Sequence, residues 1–140
     1  MKFISNSNDL SQYLDIPIIK NIPLKSISID TRTLKKHSLF IAIKGKNFDG
    51  NNFVDKAFKK GASIALVDDK KFLNSKNKRI VYVGNTILSL KKISKNIISA
   101  YQGSVIAITG SNGKTTTTNI LGSTLKASSK TLKNYNNEIG

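Results

Sequence analysis

Residues 109–117, Thr-Gly-Ser-Asn-Gly-Lys-Thr-Thr-Thr, are the types that hold a phosphate. Gly110 and Gly113 let backbone N–H groups close around an anion, and a helix starting after them adds positive potential. Lys114 is placed to reach β- and γ-phosphates, which makes it the candidate catalytic residue. The Thr115 hydroxyl can ligate Mg²⁺. Thr109, Gly110, Ser111, Asn112, Gly113, Lys114, Thr115 and Thr116 are therefore candidates for a nucleoside triphosphate, ATP by preference. The usual spacing has a glycine five residues before the glycine of the Gly-Lys pair, and Ile108 stands there instead. The loop is thus a variant. A tight turn that happens to carry a lysine is the alternative, disfavoured because strand, turn, Lys and hydroxyls occur together. Four successive threonines, 115–118, are poor helix formers. Phosphate or metal contact accounts for one or two of them.

Such a loop needs a strand before it and a helix after it. Val105-Ile106-Ala107-Ile108 reads as the strand, and residues 114–126 as the helix. Upstream, Ser26–Ile29 alternates polar and apolar, while 39–43, 63–67 and 79–83 are apolar runs that read as strands. Phe53, Ala57 and Phe58 fall at helical spacing, with Gly61 as a stop. Asn85-Thr86 can cap a helix with Leu90, Ile93, Ile97 and Ile98 on its apolar face. Strands alternating with helices predict an α/β fold with a largely parallel sheet. The boundary between two α/β units falls within 84–103. One strand and one helix after residue 103 cannot cover both faces of a parallel sheet. The chain therefore reads as the N-terminal part of something longer.

Composition narrows the class. The 140 residues contain no cysteine, which excludes disulfides and Cys-based metal sites and fits a cytoplasmic location. No apolar run reaches the length of a membrane span, and the N-terminus lacks the apolar core of a signal peptide. The net charge of +15 invites a nucleic-acid reading. Against it, only Arg32 and Arg79 among 23 basic residues are arginine, and the lysines are scattered. Nineteen Ile and fifteen Asn accompany them, a composition bias rather than a binding surface. No nucleic-acid partner is expected, and the chain is read as a monomer.

Residues 106–117 resemble the ATP loop of the Mur ligases, the enzymes that build the peptide stem of peptidoglycan. Ser28-Ile29-Asp30-Thr31-Arg32 resembles that family's Asp-Ser-Arg turn. Residues 38–45 and 48–53 resemble its Leu-Phe-x-Ala-x-Lys-Gly and Asp-Gly-His-x-Phe segments, and Lys60-Gly61-Ala62 its Lys-Gly-Ala. The likeness runs in fixed order over roughly 24–140. Residues 131–140 are similar to the Gly-Asn-x-Asn-Asn-x-Ile-Gly motif of the branch that adds D-alanyl-D-alanine. Thr31 stands for the usual Ser, Asn51 for His, and Lys133 for Gly.

The resemblance implies a UDP-sugar-binding domain over 1–99 and the start of a central ATP-binding domain over 100–140. It implies ATP and Mg²⁺ as cofactors, with UDP-N-acetylmuramoyl-tripeptide and D-alanyl-D-alanine as small-molecule substrates, joined through an acyl phosphate in cell wall biosynthesis. The alternatives are the family member that adds the third residue, lysine or diaminopimelate, a nucleotide-binding module without chemistry, and a phosphate-loop kinase or NTPase acting on another substrate. Residues 1–140 alone are expected to be inactive. Ser28, Thr31, Arg32, Lys44, Phe48, Asp49, Gly50 and Asn51 become candidates for the UDP-sugar, and Asn136 and Asn137 for ATP. Arg32 also reads as an ordinary surface residue, and Asp49 as a helix cap. His37, the only histidine, reads as exposed in a turn.

Overall fold

The computed structural model describes residues 4–127, which divide into two compact units at Gln102/Gly103. The first is an α/β unit. It opens with α1 (Ser7–Leu14), which the sequence analysis did not anticipate; Asn6 caps it by accepting from the Asn8 and Asp9 amides. Four strands follow: β1 (Ser26–Ser28), β2 (Ser38–Ile41), β3 (Ala62–Val67) and β4 (Ile80–Tyr82). They form one parallel sheet in the order β1-β2-β3-β4, each pairing with its predecessor in sequence. Between β2 and β3 a 3₁₀ turn at Gly50–Phe53 leads into α2 (Val54–Lys59). A second 3₁₀ turn, Lys70–Phe72, precedes β4, and α3 (Thr86–Ser99) closes the unit.

The parity of the strands explains the two cores. Leu39, Ile41, Ile64 and Leu66 point to one face and pack with Leu10, Leu14 and Ile93 from α1 and α3. Phe40, Ala42, Ala65 and Val67 point to the other and meet Val54 and Ala57 of α2. Both faces are covered, which is why β2 and β3 read as continuous apolar runs. Of the face predicted for α3, Leu90, Ile93 and Ile97 join the core, while Ile98 is exposed. Ile98 follows Ile97 by one residue, so a 100° rotation carries it off the buried stripe.

The second unit contains one regular element among the described residues, α4 (Lys114–Lys126). The strand expected at Val105–Ile108 is not formed there. Residues 104–110 have no ladder, and Val105 and Ile106 are 66% and 55% exposed. An apolar run becomes a strand only when a neighbour supplies hydrogen bonds, and no described segment supplies them.

Candidate functional site

Because all four strands are parallel, their C-terminal ends lie along one edge of the sheet. In open α/β sheets that edge is where ligands bind. The segments that leave it are 29–37 after β1, 42–53 after β2, Asp68-Asp69 after β3 and Val83–Asn85 after β4. Both candidate UDP-sugar segments thus leave neighbouring strands at the same edge.

After β1, the turn is held by its own polar side chains. The Ser28 hydroxyl donates to the Asp30 carbonyl at 2.8 Å and accepts from the Asp30 amide at 3.2 Å. Asp30 grips Arg32 as a fork: Oδ2 accepts from Nη2 at 2.7 Å and from Nε at 2.9 Å. Those hydrogen bonds hold the Asp30 carboxyl below its ordinary pKa and raise that of the guanidinium. The Arg32 side chain remains 85% exposed, oriented by Asp30 and open to an anion. Thr31, between them, is buried.

After β2, the chain makes a narrow loop. Lys44 and Asp49 form an antiparallel bridge, the Gly45 amide donates to the Phe48 carbonyl at 2.8 Å, and that of Gly50 to Ile43 at 3.0 Å. Gly50 has no alternative residue: a Cβ there would lie 2.7 Å from backbone atoms of Ala42 and Ile43. Phe48 stands 73% exposed, beside the exposed Lys44. Asp49 caps the following turn by accepting from the Asn51 amide at 2.9 Å. That supports the capping reading of Asp49.

Asn51 is buried and wholly engaged inside the protein. Its Nδ2 donates to Asp49 Oδ1 at 2.8 Å and to Asp68 Oδ1 at 2.9 Å. Its Oδ1 accepts from the Asp68 and Asp69 amides at 3.2 and 3.4 Å. Asn51 and Thr31 were expected to contact substrate, but their burial suits them to shaping the loops. Arg32, Lys44 and Phe48 are the exposed members of the set.

Sequence reasoning missed Asp68 and Thr86. Asp68 Oδ2 accepts from the Thr86 hydroxyl at 2.9 Å and amide at 3.3 Å. Burial acts to raise the Asp68 carboxyl, but the hydrogen bonds from Asn51 and Thr86 outweigh it and its pKa is lowered. An acidic pair at a strand's end and a Thr at a helix start were visible signals. Their partnership spans 18 residues and depends on strand order.

In the second unit the phosphate-loop candidates are brought together by local geometry. Gly110 and Gly113 have φ of 153° and 77°, and Gly113 is the left-handed N-cap of α4. Other residues adopt the Gly113 conformation only at a cost. Lys114 Nζ donates back to the Gly110 carbonyl, so the ammonium lies over the loop. Thr118, Ser123 and Thr124 donate to carbonyls four residues earlier, which satisfies their hydroxyls within α4. Thr109 to Thr116 are exposed. The residues present fit a phosphate group: two left-handed glycines, a 13-residue helix N-terminus and a lysine turned onto the loop. Asn136 and Asn137, with the whole 131–140 motif, lie outside the described residues. Among the described residues no cluster of metal-ligating side chains is found, and no helix is long and apolar enough to cross a membrane.

Known proteins align with this architecture. Residues 23–104 match the model of the Mur ligase family, catalytic domain. The UDP-N-acetylmuramoyl-tripeptide–D-alanyl-D-alanine ligase of Bacillus subtilis is 35% identical over 89% of this chain and 28% of its own length. A UDP-N-acetylmuramoyl-L-alanyl-D-glutamate–2,6-diaminopimelate ligase of Buchnera aphidicola is 37% identical over 79% of this chain and 24% of its own. Among solved structures, MurF from Acinetobacter baumannii superposes with a TM-score of 0.69 at 31% identity, covering 93% of this chain and 29% of that one. MurF ligase from Thermotoga maritima, in complex with ADP, gives a TM-score of 0.62 at 31% identity, covering 79% and 25%. The chain belongs to the Mur ligase family. It spans under a third of the length of these relatives.

Proposed function

We propose that this chain supplies the UDP-sugar-binding domain, over 1–99, and the phosphate loop, within 100–140, of an ATP-dependent ligase. That ligase adds D-alanyl-D-alanine to UDP-N-acetylmuramoyl-tripeptide in peptidoglycan synthesis in the cytoplasm. The observation that carries the reading is the Gly110–Thr115 loop at the N-terminus of α4, in a chain whose first unit matches the family. Arg32 and Lys44 supply fixed positive charge for the diphosphate, and Phe48 an exposed aromatic face. The loop amides and Lys114 would hold the triphosphate and the Thr115 hydroxyl would ligate Mg²⁺, a group that would supply charge neutralisation to the phosphates. Positioning and charge neutralisation are what such transfer demands of a protein.

The experiment is ligation by the intact enzyme. Lys114→Ala should abolish phosphate release that depends on both UDP-tripeptide and D-alanyl-D-alanine. Activity within about tenfold of wild type, ~1.4 kcal/mol in barrier, would remove Lys114 from its role. A second reading has its own support in the diaminopimelate-adding relative. Offering UDP-tripeptide with D-alanyl-D-alanine, against UDP-dipeptide with lysine or diaminopimelate, separates the two. The 140-residue chain alone should form no product, because loop donors catalyse only when held in place.

A further inference from the structure

The part-buried polar network behind the β2 loop has a geometry that goes beyond filling space. One carboxylate, Asp68, joins segments leaving three different strands. Its Oδ1 accepts from Asn51, and its Oδ2 from Thr86 at the start of α3. The single Thr86 hydroxyl proton also lies within reach of the Ala42 carbonyl, at 3.1 Å, where the chain leaves β2. Asn51 spends both amide hydrogens on carboxylates, one on Asp68 and one on Asp49. Asp49 itself lies in the loop that carries Phe48, where the backbone bonds Gly45 N–H to Phe48 C=O and Gly50 N–H to Ile43 C=O flank its pairing with Lys44. A continuous path of hydrogen bonds therefore runs from the N-terminus of α3 to the exposed loop. Thr86 is fully buried and Asn51 is 3% exposed, so the donors of these bonds are shielded, while Asp49 and Asp68 keep partial exposure.

We infer that Asp68 and Thr86 are positioning residues that hold the Lys44–Gly50 loop in the shape that receives the UDP-sugar. The inference rests on the proposal that this loop takes that ligand. Its physical basis is preorganisation. A loop already fixed by a satisfied network loses less freedom on binding than one ordered by its ligand. The choice of residues has a stereochemical reason. Asp68 accepts from donors on both of its oxygens, so Asn at this position would turn an N–H₂ toward either Asn51 Nδ2 or the Thr86 amide. Thr86 needs only its O–H donor, which Ser also provides.

The test uses the 140-residue chain with Thr86→Ser, Thr86→Val and Asp68→Asn. Two quantities are read: the Kd for UDP-N-acetylmuramoyl-tripeptide by calorimetry, and amide exchange at Gly45, Gly50 and Asn51 against amides of β3. Thr86→Val and Asp68→Asn should raise Kd about tenfold, the scale of losing a hydrogen bond to a charged group. They should also speed exchange in the loop while β3 stays protected. Thr86→Ser should stay within about twofold of wild type, a rescue that separates the hydroxyl from simple packing. Wild-type affinity and loop exchange in both Thr86→Val and Asp68→Asn would overturn the inference. If Asp68→Asn unfolds the unit, lost β3 protection reveals it, and the near-isosteric Thr86→Val decides. Absence of binding by the wild-type chain would instead overturn the ligand assignment, and loop exchange alone would then decide whether the network holds the loop.

Discussion

The two units of this chain hold their candidate sites in contrasting ways. In the first, loops leave a sheet covered on both faces, and buried side chains tie them to one another. In the second, the candidate phosphate loop depends on local geometry: two glycines, one helix and hydroxyls bonded within that helix. Val105, Ile106 and Ile120 are exposed there, where β2 and β3 of the first unit bury Ile41, Ile64 and Val67 completely. A loop motif can therefore form from sequence-local rules, while its rigidity requires partners for the segment that leads into it.

Hydrogen exchange is the strongest way to break this comparison. Amides of β2 and β3 should exchange at least about a thousandfold more slowly than those of 105–108, because local opening scales with missing tertiary contacts. Equal protection in the two would show that the second unit is independently stable. Core truncation comes next. Leu66→Ala, at a fully buried site, should cost about 2–5 kcal/mol in denaturant unfolding. Ile106→Ala, at a half-exposed site, should cost within about 0.5 kcal/mol. A large effect at Ile106 would reveal burial of that segment.

The glycines sharpen the contrast. Gly50→Ala drives a Cβ into backbone of the β2 exit and should cost about 3 kcal/mol, as severe overpacking does. Gly113→Ala meets no atom within 4 Å, so its cost, about 1–2 kcal/mol, comes from the left-handed backbone alone. Equal costs measured by thermal unfolding of each unit would contradict that distinction.

The smallest effect is pH dependence through Asp68. Its folded pKa is lowered, so the unfolded chain takes up the proton first as pH falls. The stability it contributes is complete above the ordinary Asp value, about 3.9, and is lost as pH drops below that through the lowered folded value. Acid titration of wild type against Thr86→Val should show a shallower loss in the variant, whose Asp68 has lost one donor. Identical slopes would argue that Thr86 does not stabilise the carboxylate.

Much of this was legible in the residues. The apolar runs of β2 and β3, expected at 39–43 and 63–67, fall at Ser38–Ile41 and Ala62–Val67 because parallel strands buried on both faces need continuous apolar sequence. Asn85 as a cap and residues 114–126 as a helix followed from capping and turn chemistry. The N-terminal helix α1 was missed: Ser7–Leu14 has three polar residues at its start and buries only two apolar side chains, Leu10 and Leu14, with Tyr13 partly buried beside them. Asn51 was read as a ligand contact since an exposed loop Asn and a buried one look the same in sequence.

The sequence by itself determined the class of fold, the family and the glycine turn that opens α4, because each depends on residue types within a few positions of one another. Tertiary structure alone decided which candidate side chains face solvent and which shape the loops. Asp68 meets Asn51 and Thr86 because parallel pairing in the order β1-β2-β3-β4 brings the ends of β2, β3 and β4 side by side. Hydrogen bonds reach only about 3 Å, so contacts across 17 or 18 residues exist only once the sheet has set that register.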